Sequence, residues 1–341
     1  MNPFTQRSRI TDPARFAGRW RELSQICERL EQRRPVLIAG ASGVGKSSLL
    51  THVAQSAGVV LERPDLDALF VDLEMLPSAA ACYQLLVSAL GSRGDSAAAL
   101  ELALIEADGP VLICLDNADD ALTAGWGEDL LERLARMARG SAAARRGGIA
   151  LPGTGDIDML LVAGVGTRAP QLSEPFAVIT LGALPAAELR LITEAYLDGT
   201  SVEFNPAELR ELAALSTGHP AYLQRAAYHL FKSRVEPGYN WQAAYLAEAR
   251  AMPVIGAPLP DSVFEGQGDA RSEESSYGEF PADGSRPELL QRSSGDSGPL
   301  IATVLPLIAA IASAGLSGIW WVGLLVGALG YAIVILLLRR S

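Results

Sequence analysis

The residues best suited to chemistry are consecutive: Gly40, Ala41, Ser42, Gly43, Val44, Gly45, Lys46 and Ser47, followed by Ser48. They match G-x-x-x-x-G-K-[ST] at every fixed position. Glycines let a chain wrap closely around an anion, so that backbone N–H groups and the start of the next helix face phosphate oxygens. Lys46 then neutralises β- and γ-phosphates, and the Ser47 hydroxyl is a ligand for Mg²⁺. Gly40 to Ser48 is therefore the candidate phosphate cradle, with the bound species a nucleoside triphosphate. No Asn-Lys-x-Asp segment for reading guanine occurs, which favours adenine and hence ATP.

A second signal is Val111-Leu112-Ile113-Cys114-Leu115-Asp116, an apolar run ending in an acid. Downstream of a phosphate cradle, an acid at the end of a strand completes the Mg²⁺ shell, so Ser47 and Asp116 are the candidate metal ligands. Asn117 follows, where many hydrolysing proteins of this kind carry a glutamate that activates water. An amide cannot take a proton, so either Asp119 or Asp120 substitutes for it or hydrolysis is very slow.

These groups need a scaffold. The apolar runs Val36 to Ala39, Leu69 to Leu73, Val111 to Leu115, Met159 to Gly164 and Ala177 to Leu181 read as buried parallel strands. Helical patterns separate them, and the expected fold is a doubly wound α/β sheet of five strands. The cradle follows the first strand and opens an amphipathic stretch, Ser48 to Ala54. Arg139 to Asp156, rich in Gly, Ala and Ser, reads as a surface loop. Beyond Leu181 the spacing predicts helices over Pro185 to Leu197, Pro206 to Leu215, Ala221 to Lys232 and Trp241 to Ala251. The expected layout is a nucleotide-binding domain over 1–182 and a helical lid over 183–255.

The remainder is of different material. Gly256 to Pro299 holds nine acids against three arginines among Ser, Gly and Pro, the composition of an acidic tether over 256–299. From Leu300 to Leu338 there is no Asp, Glu, Lys or Arg. As one helix this run is about 58 Å long, roughly twice the hydrocarbon thickness of a bilayer. Gly315-Leu316-Ser317-Gly318 divides it into spans 300–314 and 319–338, a hairpin that keeps Arg292, Arg339 and Arg340 on the cytoplasmic side. The alternative is a single anchor over 319–338. Met1 to Arg21 lacks an apolar run of signal-peptide length, so the expected location is the cytoplasmic (inner) membrane, multi-pass, with the nucleotide domain in the cytoplasm.

The net charge of −11 over 341 residues and the lack of a basic run make a polyanionic partner such as nucleic acid a poor expectation. Cys27, Cys82 and Cys114 are few and far apart, which suggests buried thiols in a reducing compartment rather than a structural zinc. No Ser-His-Asp set has recognisable spacing.

Four pieces in order resemble the STAND class of signalling ATPases within the AAA-like group. Phe16-Ala17-Gly18-Arg19, followed by Glu22-Leu23, resembles the class's opening F-x-G-R…E-L segment, which implies that Arg19 lines an adenine pocket. The phosphate cradle with Lys46 and the strand ending in Asp116 are shared with many families. Gly166-Thr167-Arg168 resembles the sensor segment, which implies that Arg168 sits beside the γ-phosphate as a catalytic group together with Lys46 and Asp116. Thr217-Gly218-His219-Pro220 resembles the G-x-P motif of the helical subdomain, which implies that Pro220 packs on the base or sugar. The class's long C-terminal repeat array and N-terminal effector domain have no counterpart in the sequence. The resemblance implies a membrane-tethered, ATP- and Mg²⁺-dependent switch in signalling or defence, partnered by its own copies or another protein. The alternatives are an AAA-like motor of a secretion or remodelling apparatus and, least favoured, an origin-type DNA-binding ATPase.

Overall fold

A computed structural model describes residues 2–145, 157–167, 170–172 and 174–265. Five strands form one sheet: β1 (Val36–Ala39), β2 (Asp67–Asp72), β3 (Val111–Asp116), β4 (Met159–Val165) and β5 (Ala177–Thr180). All pairings are parallel and the order is β2-β3-β4-β1-β5. Each strand begins within two residues of its apolar run. The central strands are buried at every position, as a parallel sheet covered on both faces requires.

Helices α1 (Trp20–Glu31) and α2 (Lys46–Val60) cover one face of the sheet. There Ile26, Leu30, Leu49, Leu50 and Val53 pack on Ile38, Leu112 and Val162. The other face carries α3 (Ala79–Ala89), α4 (Ala97–Glu106), α5 (Ala118–Thr123) and α6 (Gly127–Arg145), packed on Leu37, Ile113 and Leu161. Helix α6 corrects one expectation: the segment from Arg139 to Arg145 is helical rather than loop. The amphipathic run of Leu130, Leu131, Leu134 and Ala138 buries that helix and carries it through Gly140 and Ser141 despite their weak propensity.

A separate apolar core gathers α7 (Ala186–Leu197), α8 (Pro206–Ser216), α9 (Pro220–Val235) and α10 (Trp241–Ala251); a short α11 (Asp261–Glu265) follows. Asn205 starts α8 with a reciprocal capping box to Glu208, and Pro206 and Pro220 occupy first-turn positions where no N–H is needed. Phe4, far away in sequence, is buried in this helical core between Tyr196 and Phe204, at ring distances of 5.3 and 6.0 Å. The segment from Asn2 to Arg19 thus begins in the helical core and ends on the α/β core, passing over the phosphate cradle on the way.

Cys82 and Cys114 are fully buried, and burial pushes both thiols up to about 12. Among the described residues no helix is long and apolar enough to cross a membrane. The tether from residue 266 onward, both expected spans (300–314 and 319–338) and Arg168 lie outside the described residues.

Candidate functional site

The cradle joins β1 to α2. Gly43 and Gly45 adopt left-handed φ values of 66° and 102°, which turn the chain so that α2 begins at Lys46. Gly43 is constrained twice, because a Cβ there would also lie 3.0 Å from Ala221 and 3.2 Å from the His219 ring. The Lys46 ammonium curls over the loop, donating to Gly40 O at 2.8 Å and Ala41 O at 3.0 Å. Burial pushes its pKa below the usual lysine range, while the carboxylates of Asp119 and Asp116 act in the opposite sense. A phosphate in the cradle would give this cation a better partner than two carbonyls.

Ser47 Oγ donates to Asp116 Oδ1 at 3.0 Å, and the Asn117 N–H donates to the same oxygen at 3.1 Å. Asp116 is almost wholly buried. Burial raises its pKa, opposed by those two hydrogen bonds. A buried carboxylate beside a hydroxyl is a hard-oxygen pair that fits Mg²⁺, which takes one or two protein oxygens and fills its shell with phosphate and water. Ser47 and Asp116 are the residues that would hold it.

Asp72 ends β2 opposite Asp116 in the strand register. The Asn117 side chain donates to Asp72 Oδ1 at 2.9 Å. Asp119, in the first turn of α5, stands on the other side of Asp116: a Cβ on Gly166 would lie 3.0 Å from its Oδ1. Asp120 is exposed.

The roof comes from the helical part. His219 Nε2 lies 3.1 Å from Ser42 O, and since a carbonyl only accepts, Nε2 carries the proton. Its Nδ1 is buried with no hydrogen-bond partner among the described residues. Burial holds the ring below the usual histidine pKa, helped by the cations Arg19, Arg225 and Lys46. Gly218 is left-handed, with φ 78°, and a Cβ there would come within 2.7 Å of Leu184 O. That close approach positions Pro220 and Ala221 at the cavity edge. Tyr222 ties down the far end of the roof by accepting the Val254 N–H at 2.8 Å on its hydroxyl.

The N-terminal segment closes the side. Ser48 Oγ accepts the Ile10 N–H at 3.0 Å, and Phe16 stacks on His52 at 4.2 Å. Arg19 is buried; its guanidinium donates to Val44 O (3.2 Å), Gly182 O (2.7 Å) and Glu22 Oε1 (2.9 Å). It borders the cavity, yet all these bonds go to protein, so it braces the cradle from behind.

Between these parts lies a cavity of about 330 Å³, large enough for a nucleotide. Its floor is Ser42 to Ser48. Its apolar side includes Ile10, Ala17, Leu184, Ile192 and Pro220, with Gln224 adding an amide. The structure therefore gathers Arg19, Gly43 to Ser48 and Pro220 around one space, with Asp116 bonded to Ser47 beneath it. It also contributes Arg7, Arg9 and Gln224, which the sequence reading missed. The only advance signal for the two arginines was their alternation in Arg7-Ser8-Arg9.

A phosphate cradle after β1 of this parallel sheet, with the acid at the end of β3, defines a P-loop NTPase. Residues 3–147 match the family described as Novel STAND NTPase 1. No curated protein matches the chain. The Walker-type ATPase PABY2304 of Pyrococcus abyssi is similar at 15% identity and TM-score 0.50, over 73% of this chain and 76% of that one. ORC1 of Aeropyrum pernix, solved in complex with DNA, is similar at 18% identity and TM-score 0.48, over 73% of this chain and 64% of that one. A STAND protein with a tetratricopeptide repeat sensor from Pyrococcus horikoshii is similar at 17% identity and TM-score 0.39, over 72% of this chain. This chain spans 33% of that protein's length. At these identities the likeness is one of fold.

Proposed function

We propose that the protein is a membrane-anchored ATP-binding switch of STAND type, with slow Mg²⁺-dependent hydrolysis, acting in signalling or defence. The observation that carries this reading is the direct contact between cradle and helical roof, His219 on Ser42 O with Ala221 over Gly43. A nucleotide entering this space touches both parts, so its binding energy can shift the equilibrium between their arrangements. Lys46, Arg168 and Mg²⁺ held by Ser47 and Asp116 read the phosphates, and Pro220 with the N-terminal segment reads the base. The nucleotide domain (1–182) and lid (183–255) face the cytoplasm. The acidic tether (256–299) joins them to a hairpin in the inner membrane (300–338).

The ATP-bound form associates with its own copies or with a protein partner. ORC1 binds DNA in its structure; here the net charge of −11 speaks against a nucleic-acid partner. The test is to purify the full chain in detergent with Mg-ATP, Mg-ADP or neither, following assembly mass and phosphate release together. A switch assembles with ATP and turns over well below about 1 s⁻¹, whereas steady turnover at roughly 1–10³ s⁻¹ would indicate a motor instead.

A further inference from the structure

We infer that Asp119 is the catalytic carboxylate that orients and deprotonates the attacking water, the place taken by Asn117 in sequence being given over to a structural bond. The inference rests on the nucleotide-site reading above. Sheet order decides it. Strand β3, which ends in Asp116, lies between β2 on one side and β4 on the other, and β1 with its phosphate loop lies beyond β4. The phosphate loop therefore lies on the β4 side of Asp116.

Asn117 borders the cavity, but its side-chain amide is committed to β2. Its backbone is left-handed, with φ 53°, and its side-chain amide donates to Asp72 Oδ1 at the end of β2. That oxygen also accepts the Glu74 N–H at 3.1 Å, so the pair locks the β2 turn. An amide has no basic site in any case.

Asp119 is turned toward the end of β4. Both its carboxylate oxygens lie within 3.1 Å of where a Cβ on Gly166 would stand. Gly166 follows β4, and its carbonyl accepts the Gly40 N–H at 3.1 Å, so this carboxylate reaches the gap between β4 and the first glycine of the cradle. Asp119 also leads Asp116 among the carboxylates whose charge acts on the Lys46 ammonium. Its neighbour Asp120 is exposed. A glycine at 166 leaves room for that carboxylate.

The step balances with water as co-reactant. The water oxygen bonds to the γ-phosphorus while the bond from phosphorus to the β–γ bridging oxygen breaks, its electron pair leaving with ADP. One water proton passes to the Asp119 carboxylate and then to solvent, regenerating the base and leaving inorganic phosphate.

The test compares the full-length wild type, Asp119→Asn and Asp120→Asn for binding of a fluorescent ATP analogue with Mg²⁺ and for phosphate release from ATP. Asp119→Asn should bind within about threefold of wild type, or tighter, and release phosphate at least about 100-fold more slowly, the lower range for loss of a general base. Asp120→Asn should match wild type in both. Retained binding with undiminished phosphate release in Asp119→Asn overturns the assignment and leaves the nucleotide site standing. A wild type that binds Mg-ATP but releases no phosphate also overturns it. A wild type that binds no nucleotide overturns the site reading and this inference together.

Discussion

Lys46→Ala will weaken Mg-ATP binding by at least about 100-fold and leave the fold intact. Among the described residues this ammonium donates to the carbonyls of Gly40 and Ala41, at 2.8 and 3.0 Å, and burial pushes it below the usual lysine range. It is thus a partly desolvated cation whose charge a phosphate would stabilise. Charge-assisted hydrogen bonds to phosphate are worth about 1.5–3 kcal/mol each, and losing two removes roughly 3 kcal/mol or more of affinity. Gly40 is buried and Ala41 half-buried, so the two carbonyls left behind rehydrate only in part and stability should fall by about 1–2 kcal/mol. An anisotropy titration with a labelled ATP analogue measures the first effect and thermal unfolding the second. Affinity within threefold of wild type would remove Lys46 from the site.

Arg19→Ala is expected to have the opposite profile, a large loss of stability with affinity falling as a consequence. The side chain is 6% exposed and connects three parts of the chain, Val44 of the cradle, Gly182 after β5 and Glu22 of α1, while the residue's backbone N–H donates to Glu188 of α7. Removing it leaves the buried Val44 carbonyl and the more exposed Gly182 carbonyl without their donor and Glu22 without its cation. Breaking a buried pair costs about 3–5 kcal/mol, and because Glu22 is 18% exposed and recovers some hydration, roughly 2–4 kcal/mol is the expected loss. For a domain of this size that lowers the thermal midpoint by about 5–15 °C. Arg19→Lys should recover only part of it, since one ammonium cannot span the three acceptors that the planar guanidinium reaches. A midpoint within 2 °C of wild type for Arg19→Ala would show that the brace carries no load.

The contrast between these two residues illustrates what could be read in advance. Lys46 belongs to a motif whose spacing alone implies its chemistry, because backbone geometry around a phosphate leaves little freedom in where the cation must stand. Arg19 beside an exposed Trp20 looks, as a string of letters, like any solvated charge at the start of a helix; only the chain's return from Gly182 buries it. The strands were legible for a similar reason to Lys46. Parallel strands of this kind are short continuous apolar runs, and all five appear where such runs occur, although only β1, β3 and β4 are buried throughout.

What stayed hidden depends on contacts distant in sequence. Phe4 is a lone aromatic near the N-terminus, yet it fills the helical core, and Asn2 Nδ2 donates to Tyr228 O across 226 positions at 2.9 Å. No local period encodes such a partnership. Asp119 and Asp120 are equivalent acids by composition, and the choice between them needs the neighbours of β3 on each side. The run to Arg145 misled for a local reason: Gly, Ala and Ser read as a loop, whereas the apolar stripe beginning at Leu130 continues the helix.

The central claim is that one nucleotide contacts the cradle, the N-terminal segment and the helical roof together. Amide hydrogen exchange on the full chain in detergent, with and without Mg-ATP, tests it most directly. Exchange should slow in Gly40 to Ser48, in Arg7 to Ala17 and in Gly218 to Gln224 at the same nucleotide concentration. Protection confined to Gly40 to Ser48, with the roof and the N-terminal segment unchanged, would contradict it.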